Sequence, residues 1–243
     1  MPKTHIIIPC FNEAHRLQLA EIETLAETAG AYLILVNDGS IDNTSEVLHA
    51  LAGKLPKQAE CLDLPSNVGK GEAVRLGLQR ALEQGAGVLG FVDADMATPI
   101  EDIENLINTL KDDDLNAVFG SRVALLGHQI KRSLIRHYLG RVFATAASLT
   151  LRLPIYDTQC GAKFFKRSPN LIIALETPFY SRWAFDVELI GRLNILSGAS
   201  GMKEIPLRAW RDKGGSHMSF PAMIRTFLAL IIIRRRLGQY RKS

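Results

Sequence analysis

An apolar run that halts at two carboxylates spaced i and i+2 constrains this chain most. The residues are Gly90-Phe91-Val92-Asp93-Ala94-Asp95, followed by Met96-Ala97-Thr98-Pro99. The run predicts a buried strand, and Pro99 opens an acidic, periodic segment that predicts a helix. Open α/β sheets hold their ligands outside the carboxyl ends of the strands, so both acids are expected to enter a crevice there. Carboxylate oxygens suit a hard divalent cation, Mg²⁺ or Mn²⁺, which commonly bridges to phosphates. Taken alone, the same residues also read as an acidic turn in which Asp95 or Thr98 caps the next helix.

The arrangement recurs along the chain. Thr4 to Ile8 ends at Pro9-Cys10-Phe11-Asn12-Glu13 before a helical stretch over 14–28. Ala31 to Val36 ends at Asn37-Asp38-Gly39-Ser40 before a helix reaching about 51. A third strand is expected over 59–64, and Asn67-Val68-Gly69-Lys70-Gly71 leads into a helix over 72–83. After the strand at 88–92 come a helix over 100–111 and a strand over 117–119 that ends at Gly120-Ser121-Arg122. Strand and helix alternating through short links predict an α/β fold, a mostly parallel central sheet flanked by helices. Beyond Arg122 the periodicity predicts one long helix over 128–153, a strand over 158–166, a helix over 185–196 and a strand over 202–210. A C-terminal amphipathic helix over 220–237 ends in Arg234-Arg235-Arg236. The expected organisation is one domain over 1–219 and a basic amphipathic helix and tail over 220–243.

The formal net charge of +4 is unevenly placed: 101–114 is acidic, whereas the last twenty residues carry Arg225, Arg234, Arg235, Arg236, Arg241 and Lys242 and no acid. This predicts an anionic partner at the C-terminal end, and a membrane surface fits better than nucleic acid because the basic residues alternate with aliphatics rather than aromatics. Cys10, Cys61 and Cys160 form no C-x-x-C pair, which argues for a reducing compartment and against a disulfide framework or structural zinc. No signal peptide is expected, and no apolar run reaches the roughly 18–20 residues of a spanning helix. A cytoplasmic protein, peripheral on the cytoplasmic face of a membrane, is the expectation.

Three strand ends carry acids: Glu13, Asp38, and Asp93 with Asp95. Converging carboxylates repel one another unless a cation or a hydrogen-bonding ligand sits among them, which points to a nucleotide–metal site. Gly69-Lys70-Gly71 lacks the third glycine of G-x-G-x-x-G, because Val74 stands there, and no P-loop occurs. It reads either as a plain turn or as a loop presenting amides and the Lys70 ammonium to an anion.

The succession Ile6-Ile7-Ile8-Pro9-Cys10-Phe11-Asn12-Glu13, Val36-Asn37-Asp38-Gly39-Ser40, Asn67-Val68-Gly69-Lys70-Gly71 and Asp93-Ala94-Asp95 resembles the signatures of family 2 glycosyltransferases with the GT-A fold. Asp157-Thr158-Gln159-Cys160-Gly161-Ala162-Lys163 and Arg182-Trp183-Ala184-Phe185-Asp186-Val187-Glu188-Leu189 are similar to the polyprenyl-phosphate branch, most of all the dolichyl-phosphate β-glucosyltransferases. The resemblance implies that Pro9, Phe11 and Glu13 hold base and ribose, that Asp38 reads the base, and that Lys70 lies nearby. It further implies that Asp93, Ala94 and Asp95 contact ribose and diphosphate, with Asp93 and Asp95 binding Mg²⁺ or Mn²⁺. Arg122 matches an arginine that meets phosphate groups. Ala97 stands where mannose synthases usually carry a glutamine.

The implied reaction is inverting transfer of a hexose from a nucleotide diphosphate sugar, expected to be UDP-glucose, to a polyprenyl or dolichyl phosphate. A lipid phosphate needs no carboxylate base, since its second pKa is about 6. It needs cations, for which Arg122, Lys131, Arg132, Lys163 and Arg182 are available. Asp157 and Asp186 are candidates for a base or for orienting those cations; otherwise Asp157 is a turn residue and Asp186 a helix N-cap. Trp183 and Trp210 are read as packing residues. GDP-mannose as donor, a saccharide hydroxyl as acceptor, and a nucleotide-sugar-binding module without catalysis are the competing readings.

Overall fold

The computed structural model describes residues 3–112, 114–131, 134–211 and 220–240. Among these residues a seven-stranded sheet runs in the order β3-β2-β1-β4-β7-β5-β8. Its strands are β1 (Thr4–Cys10), β2 (Tyr32–Asn37), β3 (Ala59–Asp63), β4 (Val88–Phe91), β5 (Ala117–Ser121), β7 (Lys163–Lys166) and β8 (Met202–Pro206). β1 pairs in parallel with both β2 and β4. The chain therefore reverses its direction of sheet growth at β1, which opens a crevice between the carboxyl ends of β1 and β4. β7 alone runs antiparallel, wedged between β4 and β5.

Alternation along β1 explains the layers. Ile7 faces one side with Ile34, Val36, Phe91, Phe119 and Phe165. Ile6 and Ile8 face the other with Leu33, Leu35, Val118 and Phe164. The second face is covered by α1 (Leu19–Thr28), α2 (Thr44–Lys54) and α4 (Ile100–Asp112). The first is covered by α3 (Lys70–Glu83), α5 (Leu134–Leu151), α6 (Pro169–Glu176), α7 (Phe185–Ser197) and α8 (Phe220–Tyr240). The C-terminal segment shares this core, because α8 inserts Ala229, Leu230, Ile233 and Leu237 among residues of α5 and α7.

Several boundaries differ from the sequence reading. The long helix expected over 128–153 begins only at Leu134, and Gln129–Lys131 forms a short strand, β6, parallel to β9 (Ala209–Arg211). The strand expected over 202–210 divides into β8 and β9, because the Asp102 carboxylate accepts the amides of Arg208 (2.9 Å) and Ala209 (3.3 Å) and bends the chain out of the main sheet. Residues 158–162 form a loop instead of the start of β7. Residues 14–18 form a turn closed on the Glu13 carbonyl by the amides of Arg16 and Leu17. α6 was not anticipated; Ser168 caps it by accepting the Leu171 amide at 3.1 Å, with Pro169 at its first position.

β4 and β7 approach too closely for a side chain at Gly90, whose added Cβ would press into the Lys163 carbonyl oxygen and the Phe164 ring. Gly90→Ala is expected to cost about 1–3 kcal/mol, seen as a lower urea midpoint with an unchanged slope.

Candidate active site

A cavity of about 380 Å³ opens at the carboxyl ends of β1, β2 and β4. It brings together Pro9, Phe11, Glu13, Asp38, Lys70, Asp93, Ala94, Asp95 and Arg182. Two loops that line it hold non-glycine residues in the left-handed region, Asn12 at φ 52° and Met96 at φ 49°. Such backbone costs of order 1–3 kcal/mol and persists only where surrounding contacts fix it. Here the Met96 amide bonds to the Asp93 carbonyl at 3.0 Å, and the Asn12 amide to Ser40 Oγ at 3.1 Å.

Asp93 lies at the cavity floor yet keeps about a third of its side chain open to solvent (35% exposed). Lys70 Nζ donates to its Oδ1 at 2.5 Å. Its Oδ2 lies against Gly161, where any added Cβ would overlap the carboxylate. Burial works to raise the Asp93 pKa, but the charges of Lys70, Arg122 and Lys163 outweigh it and hold the group below the usual carboxylate value. Asp95 behaves oppositely: burial, then the neighbouring Asp93 charge, push its pKa up, even though its Oδ1 accepts the Ala97 amide at 3.0 Å.

Asp38 is 2% exposed, and both oxygens serve the loop before α3. Oδ1 accepts the Val68 amide at 2.7 Å, and Oδ2 accepts the Gly69 amide at 2.9 Å and Asn67 Nδ2 at 3.1 Å. In this structure Asp38 fixes the loop that carries Lys70. Arg182 fixes the same loop from outside, donating to Asn67 O at 2.7 Å, to Asn67 Oδ1 and to Val68 O. Glu13 is held by Arg16, whose Nη2 lies 2.5 Å from Oε1.

The remaining predicted residues lie beside or beneath the cavity. Arg122 forms a bidentate pair with Asp157, Nε to Oδ2 at 2.6 Å and Nη2 to Oδ1 at 2.8 Å, and stacks over Trp210 at 5.2 Å. Both line a smaller adjoining cavity with Arg141 and Tyr156. Lys163 is 0% exposed and donates to the Cys160 carbonyl, with its Nζ 2.8 Å from Asp186 Oδ1. That contact is an ion pair without hydrogen-bond alignment. The N-cap of α7 is Ala184, so Asp186 does not cap it and instead turns inward to Lys163. The side chain of Lys131, and Arg132 entirely, lie outside the described residues.

Among the cavity residues to which the sequence reading gave no site role are Arg16, Asn67 and Trp183. Arg16 follows Glu13 by three positions and Asn67 opens the glycine loop, so both had a visible signal. Trp183, read as packing, is 51% exposed at the cavity wall, whereas Trp210 does pack against the core.

Comparison with known proteins now adds to this geometry. The sequence model "Glycosyl transferase family 2" matches residues 5–171. The chain belongs to this family. A dolichyl-phosphate beta-glucosyltransferase of Trichomonas vaginalis is 32% identical over 246 residues, covering 95% of this chain and 70% of the relative. The dolichyl-phosphate beta-glucosyltransferase of Saccharomyces cerevisiae is 32% identical over 265 residues, covering 98% and 76%. The structure is similar to that of Mycobacterium tuberculosis glucosyl-3-phosphoglycerate synthase in complex with Mn²⁺, UDP and glucosyl-3-phosphoglycerate. The TM-score is 0.71 at 17% identity, over 96% of this chain and 80% of that one. The family 2 chain thus has the GT-A fold.

Removing one partner of a buried ion pair costs about 3–5 kcal/mol, whereas replacing both with apolar residues is often neutral. Lys163→Met is therefore expected to lose stability of that order in urea unfolding, and Lys163→Met with Asp186→Leu to recover most of it. Additive losses in the double variant would show that the two side chains do not act as a pair.

Proposed function

We propose that the protein transfers glucose from UDP-glucose to a polyprenyl or dolichyl phosphate with inversion at the anomeric carbon. The single observation that carries this reading is the one cavity that gathers Pro9, Phe11, Glu13, Lys70, Asp93 and Asp95 in a chain about one-third identical to dolichyl-phosphate beta-glucosyltransferases. Pro9, Phe11 and Glu13 take the base and ribose, and Asp38 keeps the Lys70 loop against them.

Asp93 and Asp95 present hard oxygen donors on one turn, and both line the cavity. That donor set fits Mg²⁺ or Mn²⁺. When bound, the ion offsets charge on the departing diphosphate. Lys70, already 2.5 Å from Asp93, adds an ammonium beside the same oxygens.

The state of the two candidate bases favours an anionic acceptor. Asp157 is committed to Arg122 and Asp186 to Lys163, so neither is placed to take a proton from a hydroxyl. A lipid phosphate arrives largely ionised near neutral pH and attacks without a base. Arg122 and Arg141, which line the adjoining cavity, supply the positive field for it. Buried Lys163 pairs with Asp186 and adds its charge to the field that keeps Asp93 ionised, and Arg182 shapes the cavity wall.

The acceptor's lipid chains call for a surface. No helix among the described residues is long and apolar enough to cross a membrane. α5 exposes Tyr138, Leu139, Val142 and Leu149, and α8 exposes Leu228 and Ile231 ahead of Arg234 and Arg235. We propose that these two helices rest on the cytoplasmic face of a membrane.

The transfer test supplies labelled UDP-glucose, GDP-mannose or UDP-N-acetylglucosamine with Mg²⁺ or Mn²⁺ and polyprenyl phosphate, and counts label extracted into organic solvent. UDP-glucose is expected to give the product, and Asp95→Asn to abolish it while the circular dichroism spectrum is unchanged. Label from GDP-mannose alone would overturn the donor assignment. Sedimentation with anionic liposomes tests the surface: wild type is expected to pellet, and Arg234→Glu with Arg235→Glu to stay in the supernatant. Arg236 is left intact in that test because its Nε lies 3.3 Å from buried Glu188.

A further inference from the structure

At the carboxyl end of β3, His49 of α2 meets Cys61 and Asp63. Their donor atoms all lie within 4.8 Å of one another, and among the described residues no other group of three or more His, Cys, Asp or Glu does so. Cys61 and Asp63 are two apart on a strand and so point to one face. His49 Nε2 lies 2.5 Å from Asp63 Oδ2, and Cys61 Sγ lies 4.0 Å from the same oxygen.

We propose that His49, Cys61 and Asp63 form a binding site for a borderline-soft divalent cation, Zn²⁺ above all. One nitrogen, one sulfur and one oxygen make a donor set that Zn²⁺ accepts and that Mg²⁺ and Ca²⁺ do not favour. Three protein donors leave the fourth tetrahedral position to water. The site is distinct in chemistry from the all-oxygen Asp93 and Asp95 pair. The spacing of the cysteines along the chain gave no sign of it, because its histidine comes from a helix.

Hydrogen bonds that orient the Asp63 carboxylate are already in place. Asp63 Oδ1 accepts Asn37 Nδ2 at 2.7 Å and Ser45 Oγ at 2.8 Å, which orients the carboxylate and leaves Oδ2 turned to His49 and Cys61. On binding, the cation takes the place of the thiol proton, which leaves to solvent, and of any proton on His49 Nε2. Asn37 lies opposite Asp63 in the β2–β3 register and its Oδ1 accepts the Ser40 amide at 3.1 Å. The site therefore sits one side chain behind the Asn37-Asp38-Gly39-Ser40 turn at the cavity edge.

Co²⁺ titration of the reduced, tag-free protein tests this. A thiolate-to-cobalt charge-transfer band is expected in the wild type, reversed by Zn²⁺. Cys10 and Cys160 are buried, so the band reports Cys61. It should vanish in Cys61→Ser and persist in Asp95→Asn. Ser45→Ala should weaken Co²⁺ binding about tenfold, and His49→Ala by more. His49 is solvent-exposed, so His49→Ala keeps the test decisive if Cys61→Ser fails to fold. No band in the wild type, a band that survives Cys61→Ser, or unchanged affinity in His49→Ala would overturn the assignment.

Discussion

The pairing of Lys70 with Asp93 is the interaction on which the rest of this molecule depends. Around it lie two further pairs, Lys163 with Asp186 and Arg122 with Asp157, and one carboxylate, Asp95, that has no ion-pair partner among the described residues. Four carboxylates thus face three cations. Desolvation makes each lone charge expensive in such a place, and mutual pairing offsets most of that cost. Burial, and then the Asp93 charge, raise the Asp95 pKa, and burial raises that of Asp186 as well, while the charges of Lys70, Arg122 and Lys163 hold Asp93 below the usual carboxylate value.

The fold supplies the convergence. Because the sheet changes direction at β1, the loops after β1 and β4 face each other, and the loop after β2 closes one side. β7 enters antiparallel between β4 and β5, so the turn before it brings Gly161 against Asp93. Gly161 is there because Asp93 leaves no room for a Cβ. The antiparallel strand also carries Lys163 under Phe91, 5.4 Å from the ring centroid, where it meets Asp186.

The strand ends were legible in the sequence because apolar runs stop sharply at Pro9, Asn37 and Asp93, and such stops have few other meanings in an alternating chain. The residues lining the cavity followed from them. What stayed hidden depends on partners far away in sequence. Nothing local announces that Arg122 is gripped by Asp157, or that Asp186 serves Lys163 instead of capping α7. Asp38 reads as a free acid until the 67–69 loop folds over it. The short strand β6, Gln129–Lys131, takes the place of the first residues of the helix expected over 128–153. α6 carried its own signal in Ser168-Pro169, a cap followed by a first-turn proline, and was missed for want of a strong apolar period.

Buried Glu188 shows how distant parts of this fold are tied together. Its Oε1 accepts Arg192 Nη2 at 2.7 Å and stands 3.3 Å from Arg236 Nε, while its Oε2 accepts the Tyr180 amide at 2.8 Å. Arg192 also donates to the carbonyls of Thr177 and Pro178, and Arg236 to that of Pro178. One carboxylate therefore sets both the last turns of α8 and the strap that runs from Pro178 to Arg182 and Trp183 at the cavity wall. The Pro178 carbonyl thus accepts from both arginines, and both arginines face Glu188. Glu188 and Arg192 are both buried, so their pairing leaves neither charge uncompensated, and half-exposed Arg236 joins them from α8.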